Sequence, residues 1–166
     1  MASSWQPVPG GVTAPRGFLA SGIAAGLKPS GKPDLALLLA PQGAVCAGSF
    51  TRSCVRAACV DLCADRLQQQ GGSARAVLIN SGQANACTGD RGLIDSQRAT
   101  QALADRLGVD AEEVLICSTG VIGVPIPMDV LLTGLDPLVE AVRLDGGSEA
   151  AEAILKIGRA SCRERV

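Results

Sequence analysis

The sequence predicts an α+β fold of the layered type, and three observations carry that prediction. Apolar runs of strand length, such as Leu35–Ala40, Ala76–Asn80 and Val114–Cys117, occur in mixed order with helix-patterned stretches. Hydrophobic residues make up 47% of the chain but aromatics only 2%, so the core has to be built from Ala, Val, Leu and Ile. The 166 residues suffice for one domain with a substantial core and fall short of two. No internal repeat is visible.

Taken in order, Phe18–Ala24 reads as a strand entered through the turn "APRG". "KPSGKPD" (Lys28–Asp34), with two prolines and a glycine, reads as a turn. Leu35–Ala40 is a strand, "PQG" a turn, and Ala44–Phe50 a further strand, so that the three strands form an antiparallel meander. Cys59–Cys63 reads as a strand running into a short helix, Ala64–Gln70, followed by the loop "QQQGGS". After the strand Ala76–Asn80 comes the loop "SGQANACTGDRG", then a helix with Ile94, Ala99, Leu103 and Leu107 on one face and Gly108 as its stop. Asp110 is placed to cap the single turn "AEE", which leads into the strand Val114–Cys117. Pro125 and Pro127 call for an extended segment. Asp136-Pro137 has the N-cap and first-turn pattern of a helix start, and Ser148 is placed to cap a helix over Glu149–Leu155.

Composition excludes several classes of function. With 15 basic and 16 acidic residues the net charge is −1, which favours neither nucleic acid nor an anionic membrane surface. No apolar stretch approaches the roughly 18 residues of a transmembrane helix. "MASSWQPVPGG" lacks the basic start and apolar middle of a signal peptide, so a cytoplasmic protein is expected. The seven cysteines are odd in number and scattered, unlike a disulfide framework. Cys54, Cys59 and Cys63, with no histidine anywhere in the chain, match no zinc spacing, and no metal is expected.

Two loops leave the ends of core strands. The first, "NSGQANACTG" from Asn80 to Gly89, is rich in amides and small residues; its plain reading is a turn-rich loop whose side chains bond their own backbone. Asn80 and Asn85 are its weaker candidates for contact with a substrate. The second, Ser118-Thr119-Gly120, sets a hydroxyl beside an uncrowded backbone N–H. Such a pair suits an oxyanion, a phosphate nest, or nothing more than a tight turn. Ser118, Cys117 and Thr100 are nucleophiles by residue type, but none has an identifiable base, and Ala99-Thr100 lies inside an amphipathic helix pattern.

The stretches "PGGVTAPRGFLASGI", "DLALLLA", "LINSGQANACTGDRG" and "ICSTGVIGVPIPM" together resemble the ornithine acetyltransferase family, the bifunctional ArgJ enzymes of arginine biosynthesis. The likeness runs from about Trp5 to Leu155, with Gln83 standing where the family pattern most often has Asn. It implies a layered α/β sandwich of the DmpA/ArgJ-like type, here incomplete. It also implies a precursor that cuts itself at an Ala-Thr bond, freeing an N-terminal threonine whose own amine serves as base. The acetyl group would then pass from N-acetylornithine to glutamate in ping-pong fashion. Acetyl-CoA is a further donor in bifunctional members, and no cofactor is held. The resemblance assigns Thr119 and Gly120 to the oxyanion hole. It further implies a second chain from the same precursor and a heterotetramer of paired chains.

The family's Asn-Met-Ala-Thr-Met-Leu cleavage motif does not occur, so no nucleophile is expected within these residues, and the chain alone is expected to be inactive. The likeness stops at Leu155. Residues 1–155 therefore read as a truncated first chain. "KIGRASCRERV" (156–166) is the translation of a common sequencing adapter and reads as a non-native tail. Two other readings stay open: a self-processing aminopeptidase or amidase of related fold, and a non-enzymatic domain that binds a small ligand.

Overall fold

The computed structural model describes residues 5–155. The reading of 156–166 as a non-native tail falls outside the described residues. Four strands form one sheet in the order β1-β2-β3-β4: β1 Leu19–Ile23, β2 Leu35–Val45, β3 Ser73–Gln83 and β4 Val114–Val121. The first three pair antiparallel and β3 pairs with β4 in parallel, as a crossover through a helix requires. The helices are α1 Ala58–Gln69, α2 Gly89–Leu107, α3 Met128–Glu140 and α4 Gly147–Ala153. A mixed α/β domain with a central sheet is what the sequence predicts.

Strand alternation explains the layers. Leu35, Leu37, Ala76, Leu78, Val114 and Ile116 point to one face of the sheet. There they join Cys59, Leu62 and Cys63 of α1, Ala99, Leu103 and Ala104 of α2, and Leu131, Leu135 and Leu138 of α3 in the main core. The opposite face carries a small cluster of Ala20, Ala36, Ala150 and Ala153, with Leu38 and Ile79 at its border. Here α4 lies close on β1, because a side chain at Gly22 would strike the Glu149 and Ala150 backbone. Beyond α4 this face is open: Cys117, whose strand position puts it beside Ile79, is exposed.

Several elements differ from the sequence reading. "PQG" is not a turn between strands: Pro41-Gln42-Gly43 sits in a register shift inside β2, where a proline without an N–H is tolerated. The strand predicted over Ala44–Phe50 is absent beyond Val45. The third strand of the meander is instead β3. Cys59–Cys63 is helical throughout, as the first turns of α1. α3 begins at Met128, and Pro137 lies inside it rather than at its start. Ile94 is exposed, while Ala99 and Leu103 are fully buried, so the core-facing stripe of α2 starts lower than expected. Ser148 lies within α4, donates to Glu149 Oε2 and caps nothing, and Asp110 makes no side-chain cap to the single turn Ala111–Glu113. Lys28 and Asp34, the ends of the predicted turn, are both buried. Among the described residues, no helix is long and apolar enough to cross a membrane.

Candidate functional site

Thr119 and Gly120 stand at the end of β4, in register with Ser81 and Gly82 of β3. The two glycines meet back to back. A Cβ at Gly120 would land on the Gly82 carbonyl and 2.6 Å from the Gln83 amide nitrogen. Gly120 has φ 141° and Gly82 φ 130°, a backbone region that side chains avoid. Gly82 in turn lies against the loop before β2, its missing Cβ 3.0 Å from the Leu27 carbonyl oxygen and 3.6 Å from Lys28 Cγ. The strand end is therefore squeezed to the thickness of bare backbone, which a turn-only reading of "STG" does not require.

β4 is an edge strand, and its outer edge is covered unevenly. Arg66 donates to the Val114 carbonyl, and Cys63 Sγ bonds both the carbonyl and the N–H of Ile116. Val121 O accepts from Ala84 N on the β3 side, so alternation turns the backbone groups of even-numbered residues to the outer edge. Side chains of α1 thus bond the edge at 114 and 116, whereas among the described residues none bonds the outward backbone groups of Ser118 and Gly120. Thr119 is half-buried, and its hydroxyl has no partner among the described residues. A hydroxyl and an outward-turned amide on consecutive residues are the donor types that suit an anionic oxygen.

The other candidates are used internally. Ser118 Oγ donates to Asn80 Oδ1 at 2.6 Å, and Asn80 Nδ2 donates to the Gln83 carbonyl at 3.1 Å. Asn80 thereby ties together the two strand ends that carry Gly82 and Gly120. Asn85, φ 50°, donates to Gly92 O and Ser96 Oγ and accepts from Thr88 Oγ1. Its amide anchors the loop to α2. Thr100 is buried in α2 and donates to the Ser96 and Gln97 carbonyls. Among the described residues neither its hydroxyl nor that of Ser118 bonds a base.

Cys117, the last residue of the strand predicted over Val114–Cys117, is exposed on the open face. Desolvation by its surroundings, reinforced by Cys63, Cys59 and Cys46, pushes its thiol up to about 11. It stays protonated at neutral pH and is a weak nucleophile.

Sequence reasoning missed the glycine pair and the polar residues around it. Ser81 Oγ donates to the Ala153 carbonyl at the end of α4. Gln83 Nε2 donates to Leu27 O at 3.0 Å, while its Oε1 is buried without a partner. The one signal available in the sequence was Gly82 itself, a glycine closing a strand; its partner emerges only once strand register is known.

Residues 19–159 match the ArgJ family. The "Arginine biosynthesis bifunctional protein ArgJ" of Parasynechococcus marenigrum (strain WH8102) is 79% identical over 155 residues, 93% of this chain and 38% of the relative. The protein of that name from Prochlorococcus marinus (strain MIT 9313) is 75% identical over 93% of this chain and 36% of its own length. The chain thus spans well under half of these curated relatives. Among solved structures, ornithine acetyltransferase from Mycobacterium tuberculosis, complexed with ornithine, superposes with a TM-score of 0.84 at 44% identity, covering 90% of this chain and 81% of that one. The ArgJ structure from Bacillus halodurans also reaches 0.84, at 34% identity, covering 91% of this chain and 78% of that one.

Proposed function

The chain belongs to the ArgJ family, and on that premise we propose that it is the first part of a precursor that transfers acetyl from N-acetylornithine to glutamate. The observation that carries the reading is the pairing of Thr119-Gly120 with Gly82 at an unsealed strand end, within a fold that superposes on an ornithine acetyltransferase complexed with ornithine. In this reading the nucleophile is an N-terminal threonine outside these residues, freed by self-cleavage. Attack on the acetyl carbonyl builds negative charge on its oxygen. Thr119 Oγ–H and the Gly120 N–H are aimed at that charge and bind it most tightly in the transition state. No histidine is needed, because the threonine's own amine takes the proton.

Chain lengths support separate chains. This chain covers 81% of the solved M. tuberculosis chain but only 38% of a curated relative, so that solved chain is much the shorter of the two. The open sheet face around Cys117 is a surface for the second chain, in a heterotetramer of paired chains. Acetyl-CoA enters, where used, as a second acetyl donor and not as a bound cofactor.

The test uses the complete precursor. It should restore arginine-independent growth to a host lacking ornithine acetyltransferase, and Thr119→Ala should lower kcat about 100-fold, roughly 3 kcal/mol of transition-state stabilisation. A Thr119→Ala enzyme of unchanged kcat would remove the oxyanion role. Hydrolysis of peptides or amides without acetyl transfer would favour the aminopeptidase reading. Tight binding of a small ligand with no turnover would favour the non-enzymatic one.

A further inference from the structure

Lys28 is a buried cation that the chemistry above leaves unused. Its side chain is 5% exposed. Nζ donates to the carbonyls of Pro33 at 2.8 Å, Ala153 at 3.3 Å and Leu155 at 2.8 Å. These use all three ammonium protons. Its backbone N–H donates to Asp34 Oδ2 at 2.8 Å, and Asp34 Oδ1 accepts from Ala25 N, so the loop carrying Lys28 is itself fixed. Asp34 also binds β1 and β3 through its backbone, accepting from Ser81 N and donating to Ile23 O.

Two structural lines run from this lysine to the strand end. Along the first, its stem lies under Gly82, and Gly82 lies under Gly120. Along the second, its ammonium and Ser81 Oγ both take the Ala153 carbonyl, so the end of α4 rests on β3 at Ser81, directly beside Thr119 in register. A helix C-terminus presents carbonyl oxygens and partial negative charge, an unfavourable neighbour for a developing oxyanion. The ammonium neutralises it. Burial lowers the Lys28 pKa from the ordinary lysine range, and Asp34 opposes that shift.

We propose that Lys28 is a positioning residue for the oxyanion site. It holds the Gly82–Gly120 contact from beneath and keeps the negative end of α4 tied off beside Thr119. The inference rests on the acetyl-transfer reading, and the experiment separates the two.

In the complete, self-cleaved enzyme, Lys28→Met is compared with wild type and Thr119→Ala. The kcat is expressed per site that takes up acetyl in a single-turnover burst, so that misfolded protein does not count. Lys28→Met is expected to lower kcat per site by at least about fivefold while KM changes less than about threefold, since a misplaced donor costs transition-state and not ground-state binding. A smaller fall in kcat overturns the proposal. Should Lys28→Met yield no folded enzyme, Ser81→Ala decides by the same threshold, because it removes the bond that ties the Ala153 carbonyl to β3 without emptying a charged site. If Thr119→Ala has no effect either, the oxyanion reading itself has failed. If Thr119→Ala is slow and the Lys28 and Ser81 variants are not, only the positioning role falls.

Discussion

A thiol at the edge of the candidate site shows how local surroundings decide reactivity. Cys117 is exposed on the open sheet face, yet desolvation holds its thiol at about 11, so exposure alone does not make it a nucleophile. The alkylation rate of Cys117, followed by mass spectrometry of the iodoacetamide-treated chain, should rise with a midpoint near pH 11. An ordinary free thiol would show a midpoint at its usual value of 9.0. The linkage has a definite sign. Unfolding returns the group to its ordinary pKa of 9.0, so between pH 9.0 and about 11 the unfolded chain releases the proton first. The stabilisation from this thiol is complete below pH 9.0 and is lost as pH climbs through that window. A midpoint near 9.0 would show that the neighbouring strands do not desolvate it. Residue type therefore singles out Cys117, Ser118 and Thr100 as candidates, and only their surroundings set them aside.

At the level of elements, packing decides what propensity leaves ambiguous. The four- to six-residue apolar runs before β3 fit a helix or a strand equally, and Cys59–Cys63 became helix because Cys59, Leu62 and Cys63 share one face against the sheet. Pro137 reads as a helix start by local rules, but Leu131, Leu135 and Leu138 bury completely, and that outweighs one missing backbone bond. Gly134 lets α3 approach Ala25, where an added Cβ would sit 2.8 Å from the alanine methyl carbon. The end of α3 is satisfied from the sheet: Ser21 Oγ of β1 donates to the Leu138 carbonyl at 2.7 Å, in a fully buried bond. Ser21→Ala should leave that carbonyl unpaired and cost about 1–2 kcal/mol, read as a lower urea midpoint of the complete protein. Thr133→Ala is the control. Its hydroxyl bonds the Asp129 carbonyl at the surface, and its loss should shift stability by less than about 0.5 kcal/mol. Equal effects of the two would mean that the β1–α3 bond carries no weight.

Across the whole molecule, the sequence displayed the strands β1, β3 and β4 and helix α2, and it singled out Thr119-Gly120 as a candidate. It concealed whatever depends on which strand lies beside which. Gly82, Ser81 and Lys28 are distant from Thr119 along the chain and meet it only through strand register and the return of α4. The same architecture leaves one sheet face half covered. Cys117, Val121, Ile122 and Val124 are all exposed, three of them consecutive or nearly so, immediately after the candidate oxyanion pair. Apolar surface grouped in this way beside the candidate site marks an interface rather than chance exposure. The 166-residue chain by itself should therefore self-associate, with a sedimentation profile above that of a monomer, and should transfer no acetyl from N-acetylornithine to glutamate. Co-expression with the remainder of the precursor should make it monodisperse in a larger complex and restore turnover together. Under the proposed acetyl-transfer reading those two changes belong together, because one surface would serve both: a chain covering the face around Cys117 would also deliver the nucleophile to Thr119 and Gly120. A chain that stays monomeric alone would argue that the face is self-sufficient, and measurable turnover by the chain alone would place the nucleophile within these 166 residues.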